Sequence, residues 1–143
     1  MFVHTTQIRV RYGEVDRMGF LYHSHYVEYF DVARSEMMRS VGLTNFMIEQ
    51  SGYELPVMHV EINYKKAALY DDLITIRTTM RELPRITVTF DYEVFRQGSG
   101  EEQTMEPELI TTGTVRLAYI RRDTKKAVRT PEHLLAPVRR FFE

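Results

Sequence analysis

The chain has 143 residues, one domain's length, and a chain of this size buries about 70% of the surface its unfolded form exposes. Lys and Arg number 19 against 20 Asp and Glu, a formal charge of −1, so electrostatics gives no reason to expect nucleic acid or an anionic membrane as partner. Cysteine is absent, which excludes disulfides, thiolate nucleophiles, Cys-ligated zinc and iron–sulfur clusters. No apolar run has the length of a membrane span, and Met1-Phe2-Val3-His4 does not open a basic stretch followed by an apolar core. The expectation is one cytoplasmic domain over 1–143.

The alternation from Thr6 to Tyr12, with Ile8, Val10 and Tyr12 on one face and Arg9 and Arg11 on the other, predicts a strand with one wet face. Gly13 breaks it, and the polar segment to Gly19 reads as a loop. From Ser24 to about Val41 the period becomes helical. Tyr26, Tyr29, Phe30, Ala33, Met37 and Val41 recur at three- and four-residue spacing, widened by Val27 and Met38. Ser24 suits the N-cap, and Gly42 the left-handed position that ends a helix. A face this rich in aromatic residues and methionine has to be wrapped, most simply by a sheet. A short helical turn from Asn45 to Gln50, stopped by Gly52, follows.

The remainder reads mostly as strand. Met58, Val60, Ile62 and Tyr64 alternate with His59, Glu61, Asn63 and Lys65. Ile74, Ile76, Thr78 and Met80 come next, then Ile86, Val88, Phe90, Tyr92 and Val94. A polar loop from Gln97 to Pro107 precedes a last alternating run of Leu109, Thr111, Gly113, Val115, Leu117 and Tyr119. Short connections favour antiparallel pairing. Lys126 to Arg129 suggests a short edge strand, and Pro131 a C-terminal helix started where a missing N–H costs little. The order implies an α+β domain in which one long helix lies across one curved antiparallel sheet of five to six strands.

Local rules are broken most visibly between Tyr12 and Tyr26, where two carboxylates, two glycines, two histidines and three tyrosines sit at the handover from strand to helix. The first turn of a helix leaves backbone N–H groups unpaired and carries partial positive charge. Such an end can hold a developing oxyanion, and a carboxylate just upstream suits acyl transfer. The plainer alternative is that Asp16 only hydrogen-bonds its own turn, as loop aspartates usually do.

The spacing Asp16-x-x-Gly19-x-x-Tyr22-His23-x-x-Tyr26, continuing to Phe30-x-x-Ala33-Arg34, resembles the signature of the 4-hydroxybenzoyl-CoA thioesterase family, particularly its YbgC-like branch. Leu55-Pro56-Val57, Tyr64-Lys65-Lys66-Ala67, Asp71-Asp72-Leu73, Gly113 before Val115 and the Asp123…Pro131 tail extend the match over nearly the whole chain. The resemblance implies the hotdog fold, homodimers often paired into tetramers, and active sites at subunit interfaces. It implies an acyl-CoA thioesterase in which Asp16 acts as general base or nucleophile. The backbone N–H at His23 would polarise the thioester carbonyl, and the His23 imidazole would assist proton transfer or orientation. Gly19, Tyr22, His25, Tyr26, Tyr64 and Lys65 are the expected substrate-binding positions. His25, Ala67 and Val15 depart from the family's usual Asn, Pro and small polar residue.

Other candidates have duller readings. Glu14, two residues before Asp16, has the look of an acid–base partner, but a solvated side chain or a pair with an Arg is the preferred reading. His23-x-His25 with Asp16 has the donor types of a zinc or iron site, but ligands two apart at a helix start diverge and no further ligand is evident. No metal or organic cofactor is therefore expected. Lys65, Lys66, Arg81 and Arg85 suit the phosphates of coenzyme A, though lysines also defend a strand edge. Ser99 lacks the spacing of a nucleophile elbow, and no nucleotide-phosphate loop or dinucleotide fingerprint appears. The competing functions are a non-catalytic module that binds acyl-CoA or acyl-carrier protein, and a hydrolase acting on the acyl-carrier protein thioester.

Overall fold

The structure is a computed structural model and describes residues 1–98 and 106–143. In chain order it contains β1 (Phe2–Arg9), α1 (His25–Arg39), α2 (Asn45–Gln50), β2 (Tyr53–Glu54), β3 (Val57–Tyr64), β4 (Leu73–Met80), β5 (Thr87–Gln97), β6 (Glu108–Ala118), β7 (Ile120–Arg121) and α3 (Glu132–Arg139). Five strands form one antiparallel sheet in the order β1-β4-β5-β6-β3, and β2 pairs with β7 beside it. The expected α+β arrangement of one helix over one sheet is what the chain adopts.

The helix lies where its stripe predicts. Tyr26, Tyr29, Phe30, Ala33 and Met37 are buried against Ile74, Ile76, Val88, Phe90, Tyr92, Val94 and Val115 of the sheet. Phe30 stacks on Tyr92 with ring centroids 4.2 Å apart, and burying a side chain of that size contributes about 2–3 kcal/mol. Gly113 opposite makes room for the ring, since a Cβ there would sit 2.5 Å from Phe30 Cε2. Gly42, at φ +85°, ends the helix as expected: its N–H donates to Arg39 O, and that of Leu43 reaches back to Met38 O. Ser24 stands at the N-cap but does not cap, because its backbone is already helical and its hydroxyl makes no capping bond. Thr44 does cap α2, accepting from Met47 N–H at 3.2 Å.

Several boundaries differ from the sequence pattern. β1 begins at Phe2 and ends at Arg9, because its register against β4 runs from Phe2–Met80 to Arg9–Leu73 and places polar His4 and Thr6 on the inward side. Tyr12 is therefore not a strand residue; it stands 79% exposed in a 3-10 turn over Tyr12–Glu14. Met58, Val60 and Tyr64 stand exposed although Ile62 between them packs on the core, because β3 is an edge strand of the sheet, beyond the strands that α1 covers. Ile86 falls just before β5 and is exposed. Lys126 to Arg129 forms no strand: against the edge of β7 opposite β2 the segment makes one isolated bridge, Ile120 to Ala127. Pro131 is the N-cap of α3 instead of its first residue. Of the loop expected from Gln97 to Pro107, Gln97 is the last residue of β5, and 99–105 lie outside the described residues.

Candidate active site

Asp16 sits at the tip of a small hairpin. Val15 bridges Leu21, the Asp16 N–H donates to Phe20 O at 2.9 Å, and the Gly19 N–H donates to Asp16 O at 3.0 Å. The turn needs Gly19 because its φ is +80°. Asp16 Oδ1 accepts from the N–H groups of Met18 (2.9 Å) and Phe20 (3.2 Å). The local turn role thus occupies one oxygen. The other, Oδ2, has no protein partner among the described residues, and the side chain is exposed.

The hairpin is tied down on two sides. Leu21 N–H donates to Ala68 O at 2.8 Å and Tyr70 N–H to Gly19 O at 3.2 Å, so its return arm lies against the loop before β4. That loop is organised by buried Asp72, whose carboxylate accepts from Leu69 N–H at 2.8 Å and from Arg96 at 2.7 and 3.0 Å. On the other side Glu14 is buried. Its carboxylate accepts from Arg11 N–H (2.9 Å), from the Arg11 guanidinium (3.1 Å) and from the Tyr29 hydroxyl of α1 (2.9 Å). Burial pushes Glu14 upward, but the hydrogen bonds from Arg11 and Tyr29 outweigh it and hold the carboxyl below its usual value. Burial and the same carboxylate push the Tyr29 hydroxyl far up.

The return arm runs directly into α1. His23 O accepts from the Tyr64 hydroxyl at 2.9 Å, which joins the helix start to β3. The backbone N–H groups of His23 and Ser24 find no acceptor among the described residues, and the helix start concentrates partial positive charge beside them. The Tyr26 hydroxyl is buried, accepts from Ala68 N–H at 3.3 Å and has its pKa raised by burial. Its ring meets Tyr64 edge-on at 5.2 Å.

The expected site residues therefore fall into groups. Asp16 and Gly19 share the hairpin; the rings of Tyr22 and His23 meet at 4.4 Å, tilted by 51°, on the way to the helix; Tyr26 and Tyr64 meet below. His25 turns its Nδ1 to Glu28 Oε2, 3.1 Å away on its own helix. Lys65 stands apart, its N–H spent on Ile110 O. No three His, Asp or Glu side chains converge as a metal site among the described residues. Of the expected phosphate-binding cations, Lys66 pairs with Glu108 and Arg81 with Asp91, whereas Lys65 and Arg85 have no acidic partner among the described residues. Sequence reasoning missed two features. One is the Asp72–Arg96 pair, of which Asp72 was visible only as part of a motif. The other is the exposed pair of Tyr12 and Tyr70, which meet edge-on at 5.6 Å.

Residues 10–138 match the model of the thioesterase-like superfamily. A Haemophilus influenzae protein named acyl-CoA thioesterase YbgC is 28% identical over 130 residues, covering 90% of this chain and 89% of that one. The crystal structure of a DHNA-CoA thioesterase from Staphylococcus aureus superposes with a TM-score of 0.80 at 31% identity, over 99% of this chain and 85% of the other. The 4-hydroxybenzoyl-CoA thioesterase of Pseudomonas sp. strain CBS-3 shares the fold, at a TM-score of 0.83 and 20% identity over 96% of this chain and 99% of its own.

Proposed function

The chain belongs to the thioesterase-like superfamily, and from that premise we propose that it hydrolyses acyl-CoA thioesters to a free acid and coenzyme A at the Asp16 hairpin. The observation that carries the reading is that one hairpin, running on into α1, bears both a carboxylate oxygen and helix-start N–H groups without a partner among the described residues. The thioester oxygen lies against the His23 and Ser24 N–H groups, which stabilise the negative charge of the tetrahedral adduct. Asp16 Oδ2 takes a proton from the water that attacks the carbonyl carbon; the C–S bond then breaks and the thiolate leaves without needing protonation. In the nucleophilic variant the same oxygen attacks the carbon, the C–S bond breaks and the thiolate leaves, and water then hydrolyses the resulting anhydride to the free acid and the Asp16 carboxylate.

Two copies of the chain complete the site. β3 offers an unpaired strand edge, and Met58, Val60 and Tyr64 on its inward side stand open for a partner to cover. The uncommitted cations Lys65 and Arg85 are the groups left to meet coenzyme A phosphates. No helix among the described residues is long and apolar enough to cross a membrane.

A panel of acyl-CoA thioesters, with thiol release followed by a thiol-detecting reagent, tests the reading, run beside the same acyl groups on acyl-carrier protein. Release from coenzyme A is expected. Saturable binding without release would instead make the chain a carrier or regulatory module. Single turnover in oxygen-18 water separates base from nucleophile: label in the product acid marks the base, label in the Asp16 carboxylate the nucleophile.

A further inference from the structure

A second carboxylate lies two residues before Asp16, buried at 6% exposure, and the chemistry described above does not use it. A buried carboxylate is costly unless its hydrogen bonds are made, and Glu14 makes three. Two come from Arg11, at the entry to the 3-10 turn. The third comes from Tyr29 of α1, fifteen residues on in the chain. Glu14 O in turn accepts from Tyr22 N–H at 2.9 Å, which closes the base of the hairpin immediately before His23. One residue thus holds the outgoing arm, the returning arm and the helix whose start is offered to the substrate.

We infer that Glu14 is the positioning residue of this site, fixing the Asp16 hairpin against α1 through Tyr29 so that the carboxylate and the helix-start N–H groups bear on one thioester. The inference rests on the proposed roles of Asp16 and the helix start. It assigns Glu14 no proton transfer: both oxygens are occupied by donors and the side chain is enclosed. Arg11 supplies the charge that makes burial tolerable; Tyr29 supplies the register. Because a reacting group misplaced by about 1 Å can lose about 100-fold in rate, cutting the link should be felt in turnover before it is felt in binding.

The test uses the full chain and the acyl-CoA it turns over fastest. Tyr29→Phe removes only the linking hydroxyl, and Glu14→Gln removes the charge while keeping the shape. Each is expected to lower kcat by about 10- to 100-fold while KM moves less than about threefold. The double variant should be no slower than the worse single one, since Tyr29→Phe removes the hydroxyl and Glu14→Gln the charge of one and the same hydrogen-bonded carboxylate. Glu14→Asp, one methylene short of Tyr29, should resemble Tyr29→Phe. The shape of the kcat pH profile should not change. Thr44→Ala, at the cap of α2 outside the site, supplies the control that loses stability and retains turnover.

If Tyr29→Phe and Glu14→Gln keep kcat within about threefold of the parent while melting earlier, Glu14 is structural only and the inference is overturned. A limb of the pH profile that disappears in Glu14→Gln would also overturn it, by making Glu14 a proton carrier. Should Glu14→Gln fail to fold, Tyr29→Phe and its profile decide alone. Full activity in Asp16→Asn would strike down the premise itself; loss in Asp16→Asn beside full activity in Tyr29→Phe strikes down only the role of Glu14.

Discussion

Replacing Gly113 by alanine adds one methyl group where the sheet and α1 meet most closely. The new Cβ would stand 2.5 Å from Phe30 Cε2, 2.7 Å from Cζ and 3.2 Å from the backbone oxygen of Glu61. Carbon atoms pack at about 3.5–4.0 Å, so the ring must retreat by about 1 Å. It has nowhere to go: Phe30 is 0% exposed and already stacks on Tyr92 at 4.2 Å and 11°. Overpacking of this kind costs about 1–3 kcal/mol, and disturbing the ring pair adds up to about 1 kcal/mol. The lower entropy of an unfolded alanine offsets about 0.5 kcal/mol. The net loss of about 1–3 kcal/mol corresponds to roughly 3–10 °C in Tm for a chain of this length. Thermal unfolding at one fixed protein concentration measures it, because self-association would make Tm concentration-dependent. Adding Phe30→Leu should make the Gly113→Ala step cheaper, since the shorter side chain vacates the contested space. A Gly113→Ala protein melting within about 1 °C of the parent, or a double variant showing no coupling, would refute the close-approach argument.

Asp16→Asn keeps the Oδ1 acceptor that Met18 and Phe20 use, so the turn and the Tm should survive while kcat in the thiol-release assay falls by at least about 100-fold. Asp72→Asn leaves the Arg96 guanidinium, 19% exposed, facing a neutral amide; it should destabilise by about 2–4 kcal/mol in urea unfolding and loosen the loop that backs the hairpin. Tyr64→Phe frees His23 O and should cost about 0.5–1.5 kcal/mol in the same measurement. The Glu14 carboxyl is held below its ordinary value of 4.5, so its stabilisation is complete above that pH and is lost as pH falls toward the lower folded value. Acid titration of Tm should therefore be steeper for the parent than for Glu14→Gln below about pH 4.5.

Tyr26, Tyr29, Phe30, Ala33 and Met37 announce α1 without help, because a helix is specified by neighbours three and four apart and the apolar stripe repeats at that spacing. Gly42 likewise declares the left-handed turn that ends the helix, since local sterics admit little else there. The motif around Asp16 was legible for the same reason, as a run of residues whose spacing is short. Glu14 was legible only as an ambiguity between water and an arginine; the arginine is Arg11, and the decisive partner, Tyr29, arrives from another element.

What the amino-acid order determined by itself is what nearest neighbours can encode: the α+β class, the helices, the strand periods and the carboxylate set before a helix start. Tertiary structure alone decided which strand lies outermost, and with it that β3 shows Met58, Val60 and Tyr64 to solvent although its alternation matches that of covered strands. It also decided that Asp72 reaches Arg96 across 24 positions, and that Tyr12 leaves the sheet for a 3-10 turn and meets Tyr70. The reason is that burial and register are set by contacts between distant segments, so a side chain's own neighbours carry the period of its element but not the face that the fold will cover.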